Sequence, residues 1–539
     1  MEPSAHLSAH TDPFCRNNLP PRDEWPELTF DLPELRYPPR LNCAVELLDT
    51  TIGRHGADRR CLLSPTETWT YGDLRRHADG VARVLVEDLG LVPGNRVLLR
   101  GPNNPWLVAC WLGVLKAGGV AVTTMALLRT AELSVIREMA HVDLALCDHR
   151  FTGALAPVPG LRVVTYGSGA DDDLVHRAAR KPAGFDAVPT AADDIALIAF
   201  TSGTTGRPKA TMHFHRDVLA IADTFSRHVL RPAADDLFTG SPPLAFTFGL
   251  GALVVFPLRA GAATLLLETA TPDALADAVA RHGVTVLSTA PTAYRAMLAA
   301  GHADRLTSLR RCVSAGEALP EATWRAFHDA TGVRIIDGIG ATEMLHIFIA
   351  AADDDIRPGS TGRPVPGYDA RVVDDEGRPV PDGELGRLAV RGPTGCRYLA
   401  DDRQRVYVEN GWNLTGDTYV RDADGYFWHQ ARSDDMIISA GYNIAGPEVE
   451  EALLRHPDVV ECGVVGSPDE VRGTMVVTAY VVLRDGVAAD DTKARELQDF
   501  TKATIAPYKY PRRLEFVEAL PRTDTGKLQR FRLRAMARG

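Results

Sequence analysis

The stretch DDIALIAFTSGTTGRPKA, residues 193–210, decides how the chain is built. DDIALIAF reads as a buried strand bounded by turn-forming residues. Thr201, Ser202, Gly203, Thr204, Thr205 and Gly206 then combine hydroxyl donors with glycines that allow close backbone approach, before Pro208 and Lys209. Further on, Val218, Ala222, Phe225 and Val229 recur at helical spacing. A loop between a strand end and a helix start presents N–H groups to anions, so the stretch is expected to grip a chain of phosphates. It is not a P-loop: Gly206 is followed by Arg-Pro-Lys, and Ala210 stands where a magnesium-binding hydroxyl would be required.

Working outward, the same alternation recurs. RVLLRGPNN reads as strand and turn, PWLVACWLGVLKAG as helix and VDLALCDH as strand, which predicts parallel sheets covered by helices. The first forty residues, rich in proline and aromatics, read as an arm lying on a domain surface. Beyond residue 360 short strands with Gly and Asp turns predict an antiparallel, barrel-like segment, and a compact α+β pattern closes the chain. The expected organisation is an α/β N-terminal domain, residues 1–432, and a small α+β C-terminal domain, residues 433–539. A net charge of −11 in 539 residues opposes a general nucleic-acid or anionic-membrane binder. The eight cysteines are scattered without C-x-x-C spacing, as in a reduced protein, and the N-terminus lacks the pattern of a signal peptide. The longest apolar stretch, interrupted by Lys116 and glycines, is too short to span a bilayer, so a cytoplasmic protein is expected.

With five further motifs in order, the chain resembles the adenylate-forming enzymes: acyl- and aryl-CoA ligases, peptide-synthetase adenylation domains and beetle luciferases. These are SAGEALP (314–320), GIGATEM (338–344), LTGD (414–417), ARSDDMIISAGYN (431–443) and PRTDTGKLQR (521–530). The resemblance implies that ATP and a carboxylate form an acyl-adenylate, which a thiol such as that of coenzyme A then captures. It implies that Thr201–Gly206 and Lys209 hold the β- and γ-phosphates, Thr342 the α-phosphate and Glu343 the Mg2+ ion. Gly316, Glu317 and Ala318 would flank adenine, with Asp337, Gly338, Ile339 and Gly340 completing the nucleotide site. Ile339 replaces a tyrosine of many relatives, so an aliphatic contact takes the place of stacking on adenine. Asp417 would accept both ribose hydroxyls, and Arg432 would support the ribose or a phosphate. Lys527 would bridge the attacking carboxylate and the α-phosphate, Asp434 would be the hinge of a swinging domain, and Gly441 would line the pantetheine tunnel.

The acid is expected between PPLAFTFGLG (242–251) and ATEMLHIF (341–348). Phe246, Thr247, Phe248, Gly249, His346 and Ile347 would make a short, flat pocket with one polar handle. With the N-terminal arm, these segments resemble the benzoate-CoA and 2-aminobenzoate-CoA ligase branch. His346 reads equally as a ligand to the acid or as a packing residue, whereas His213 and His215 read as structural. Expected partners are thus an aryl acid, ATP and coenzyme A, with a carrier protein as the alternative thiol; monomer and homodimer both stay open. Other acyl-CoA synthetases, an oxygenase of luciferase type and a non-catalytic adenylate binder are the remaining readings, the last opposed by the presence of both Lys527 and Glu343.

Overall fold

The computed structural model describes residues 7–201, 208–432, 435–439, 442–469, 474–505, 507–522 and 528–537. Two large sheets dominate. One has six strands in the order Arg162–Tyr166, Leu144–Asp148, Arg96–Arg100, Val120–Thr124, Ile195–Thr201, Lys209–Phe214; all pair in parallel except the last. The other has nine strands and a parallel centre formed by Ala263–Leu265, Leu237–Gly240, Val286–Thr289, Arg311–Ser314 and Ile335–Gly340. Central strands such as Arg96–Arg100 and Val286–Thr289 are buried continuous runs, as expected where helices cover both faces.

The covering helices start where the sequence signals them. Helix Tyr71–Arg83 opens on a capping box: the Thr70 hydroxyl accepts from the Asp73 N–H at 3.0 Å, and the Asp73 carboxylate accepts from the Thr70 N–H at 2.9 Å. Helix Pro105–Lys116 follows the Asn104 cap, whose Oδ1 accepts from the Leu107 N–H at 3.0 Å. The two helices cross at Gly113, where an added Cβ would come within 2.7 Å of Val81.

The structure corrects one expectation. The phosphate-loop sequence does not lead directly into a helix; it joins strand Ile195–Thr201 to the antiparallel strand Lys209–Phe214, and the helix begins only at His215. Tertiary pairing decides this. Met212 N–H donates to the Arg397 carbonyl and Leu399 N–H to the Ala210 carbonyl, so residues 209–214 are held extended between two neighbours. The Arg397 guanidinium is fully buried, paired with Asp217 and lying 4.0 Å over the Phe214 ring.

The N-terminal arm wraps this body. Arg16 and the backbone of Ala9 bind Asp194, and Asp12 accepts from Asn95 at 2.8 Å. An antiparallel sheet of Asp369–Val373, Leu385–Arg391, Trp412–Arg421, Val408–Glu409 and Phe427–Arg432 follows. The C-terminal region builds its own sheet from Val459–Asp469, Thr474–Leu483 and Arg513–Phe516, covered by helices Gly446–Leu454 and Asp491–Thr504. Among the described residues, its apolar clusters contain nothing that precedes Ile437, and the clusters of the large sheets contain nothing beyond Phe427. The two regions meet instead through charges, with Arg295 on Glu461 at 2.8 Å and Arg522 on both Glu317 and Glu461 at 3.3 Å.

Removing the buried guanidinium should unfold the first region more easily. Arg397→Ala leaves the buried Asp217 charge without its guanidinium, which costs about 3–5 kcal/mol. Urea unfolding followed by tryptophan fluorescence should therefore show an earlier transition, since all seven tryptophans, Trp25 to Trp428, lie in the first region.

Candidate active site

Parallel strands deliver their following loops to one edge, and ligands of α/β sheets collect there. Three such loops leave the nine-stranded sheet, two from adjacent strands and one from beyond the intervening strand Val286–Thr289. Strand Leu237–Gly240 runs into residues 241–251, Arg311–Ser314 into the SAGEALP loop, and Ile335–Gly340 into Ala341–Ile347. Ser314 and Asp337 are register partners, so the two nucleotide motifs are neighbours. Gly316 takes φ +92°, a conformation that favours glycine. Gly340 faces backbone, because a Cβ there would lie 2.7 Å from the His346 carbonyl oxygen.

The sharpest turn lies inside ATEMLHIF. Leu345 is buried at φ +69°, ψ −36°, which a bulky L residue rarely adopts. Beyond this turn the chain reverses, and Glu343 and His346 meet different surroundings. The Tyr398 hydroxyl donates to Glu343 Oε1 at 2.5 Å, and Lys209 Nζ donates to the Tyr398 oxygen at 3.1 Å. Lys209 Nζ stands 4.0 Å from Glu343 Oε1. His346 instead packs among Phe256, Phe225 and Phe248, with ring centroids 4.6, 5.5 and 5.7 Å away. Gly251 lies against it; a Cβ there would come within 2.3 Å of His346 Cδ2. Burial pushes the His346 pKa down to about 3, so the ring is neutral at pH 7.

Strand Lys209–Phe214 comes from the other sheet, and a second bond joins the two. His213 Nε2 lies 2.8 Å from the Thr342 carbonyl oxygen, which makes it the donor, while its Nδ1 faces Asp217 at 3.8 Å. His213 is structural as read from the sequence, but it braces the Thr342–Glu343 turn. Tyr398 went unsuspected because CRYLADD carries no charge or glycine pattern that points to a site.

Asp337 lines a small pocket with Leu319, Trp324, Ile335, Ser360 and Thr361. Its Oδ1 is shielded from solvent without a hydrogen-bond partner, and burial pushes the carboxyl pKa up to about 8. Glu317 receives Arg522 from the C-terminal region. Ile347 packs against Gly338, and Asp417 is the register partner of Arg432. Phe246 precedes a helical turn, Thr247–Leu250, whose Gly249 lies so close to Pro243 that a Cβ would overlap its carbonyl. Thr201, Lys209, residues 316–318 and 337–343, Asp417 and the acid-pocket residues 246–249 and 346–347 all lie among the described residues. Ser202, Gly203, Thr204, Thr205, Gly206, Asp434, Gly441, Lys527 and the Arg432 side chain lie outside them.

Residues 48–398 match the AMP-binding enzyme family, and residues 448–527 match the AMP-binding enzyme C-terminal domain. The chain belongs to the AMP-binding enzyme family. It is 34% identical over 514 residues to the benzoate–CoA ligase of Thauera aromatica, covering 93% of this chain and 97% of that protein. An anthranilate CoA ligase solved in complex with anthranoyl-AMP superposes with a TM-score of 0.89 at 35% identity, covering 94% and 99% of the two chains. A benzoate CoA ligase from Burkholderia xenovorans LB400 gives 0.85 at 34%, covering 92% and 100%. As an AMP-binding enzyme of this kind it is an AMP-forming acid–thiol ligase, working with ATP, Mg2+ and coenzyme A. Among the described residues no helix is long and apolar enough to cross a membrane.

The Asp337 carboxyl imposes a pH dependence. Its folded-state pKa, about 8, lies above the ordinary carboxylate value, so the folded protein binds a proton that the unfolded chain has released. Stability therefore falls as pH rises between about 4 and 8, and levels above that window. Asp337→Asn should lack this slope, gaining on the wild type as pH rises, as thermal unfolding at stepped pH would show.

Proposed function

We propose that this protein converts an aromatic carboxylic acid of the benzoate, 2-aminobenzoate or salicylate kind into its CoA thioester through an acyl-adenylate. The observation that carries the choice of acid is the wall formed by His346, Phe225, Phe248 and Phe256, closed by Gly251. A flat ring packs against such a wall, whereas a long acyl chain needs a tunnel of small residues. The neutral His346 ring offers a donor or acceptor to an ortho amino or hydroxyl group. The named activities of the benzoate and anthranilate ligases support the same reading.

In this reading Lys209 and the 201–206 loop hold the leaving phosphates, and Thr342 lies beside the α-phosphate. Gly316, Glu317, Ala318, Asp337, Gly338, Ile339 and Gly340 enclose the adenine side, and Asp417 accepts from the ribose with Arg432 in support. Phe246, Thr247, Phe248, Gly249, His346 and Ile347 receive the acid. Glu343 suits Mg2+: a hard cation takes carboxylate oxygens, and Tyr398 engages only Oε1. Bound there, the ion would neutralise charge on the phosphates. Residues 433–539 form the mobile domain, with Asp434 as its hinge, and carry Lys527 to the attacking carboxylate in one pose and Gly441 to the pantetheine in the other. The mainly ionic contact between the two regions suits such a movement, since partly exposed pairs contribute only about 0–1 kcal/mol each.

Incubation with ATP, Mg2+, coenzyme A and an equimolar mixture of aryl and fatty acids, read by mass spectrometry, tests the assignment. An aryl-CoA with AMP is expected. Adenylate without thioester would point to a carrier protein as the acceptor, and fatty acyl-CoA alone would sink the aromatic reading. Lys527→Ala should slow adenylate formation by about 10²–10³-fold, yet still make thioester from synthetic aryl-adenylate, because its charge serves only the first transition state.

A further inference from the structure

Tyr398 lies in none of the motifs that identify the family here, yet it touches two of the groups on which the proposed chemistry depends. Its ring is fully buried against Tyr407, with centroids 5.8 Å apart. Its hydroxyl is the middle of a chain: Lys209 Nζ donates to it at 3.1 Å and it donates to Glu343 Oε1 at 2.5 Å. An ammonium only donates and a carboxylate only accepts, so the phenol is the acceptor from Lys209 and the donor to Glu343.

The ring has no freedom to leave this position. The Tyr398 N–H donates to Gln404 Oε1 at 2.9 Å, and its neighbours Arg397 and Leu399 pair with strand Lys209–Phe214. Gln404 Nε2 in turn donates to the Cys396 and Glu24 carbonyls, and Arg403 donates to the Pro208 carbonyl at 3.0 Å. Residues 396–404 thus form a shelf that fixes both the Lys209 backbone and the phenol bonded to its ammonium group.

We propose that Tyr398 is a positioning residue for the metal–triphosphate complex: it turns the Glu343 carboxylate with Oε2 left for the cation, and holds the Lys209 ammonium off that carboxylate. A lysine free to close onto Glu343 would form a direct ion pair that Mg2+ and phosphate must first break. With the phenol between them, carboxylate and ammonium form only a long ion pair, 4.0 Å apart, in which each bonds to the phenol and not directly to the other. Groups that orient a metal ligand characteristically change metal affinity by about 10–100-fold when removed. This inference rests on the assignment of Glu343 to Mg2+ made above.

Calorimetric titration of ATP, without acid, into full-length wild type, Tyr398→Phe and Glu343→Gln at stepped Mg2+ concentrations separates the possibilities. Tyr398→Phe, which removes one oxygen and keeps the ring, should need about tenfold more Mg2+ for half-maximal ATP binding. Its affinity for AMP and its thermal unfolding midpoint should stay close to those of the wild type. An unchanged Mg2+ requirement, or a parallel loss of ATP and AMP binding, would reduce Tyr398 to packing and overturn the proposal. Glu343→Gln should lose most of the Mg2+ dependence. If instead it keeps the wild-type dependence, the assignment of Glu343 fails, and the role of Tyr398 falls with it.

Discussion

The site depends on one junction, where loops from two separate sheets are held at hydrogen-bond distance. Lys209 starts a strand of the six-stranded sheet, and Glu343 follows a strand of the nine-stranded sheet. Neither sheet alone brings a cation and a carboxylate together. Tyr398 bridges them at the side chains, and His213 bridges them through the Thr342 carbonyl. In a water-poor cleft such bonds are stronger than in solvent, and leaving one unmade costs correspondingly more.

That junction explains why charge is buried beneath it. Arg397 and Asp217 are fully buried, and Asp217 also accepts from the Phe214 N–H at 3.0 Å and faces His213. A buried ion pair is weak evidence for stability, since desolvation opposes the Coulomb gain. Here the pair has a positional consequence: it joins the shelf under Tyr398 to the helix that follows strand Lys209–Phe214. Leu345 at positive φ belongs to the same account, because the reversed backbone sends Glu343 toward Tyr398 and His346 toward the phenylalanines.

The C-terminal region obeys a different constraint. Its core is closed within itself, and its contacts with the first region include Arg295, Glu461, Arg522 and Glu317, all partly exposed. Ionic contacts of this sort can break and re-form in water at little cost, unlike a shared apolar core. Arg522 is five residues from Lys527 in the chain and touches the SAGEALP loop through Glu317.

Much was legible from residues alone. Apolar runs and caps marked the strands Arg96–Arg100, Leu144–Asp148 and Ile195–Thr201 and the helix Pro105–Lys116, because period and capping chemistry are local properties. Ordered motifs carried the family. The strand at Lys209–Phe214 was not legible, because its extended form comes from antiparallel pairing with Ile195–Thr201 on one side and with residues some 190 positions away on the other. Nor was Tyr398, whose part is set by two bonds to residues 189 and 55 positions distant. Local sequence determines which segments are strands, helices and anion-binding loops; only the packing of one sheet's loops against the other's decides which side chains share a site, since that distance is written in no single stretch of chain.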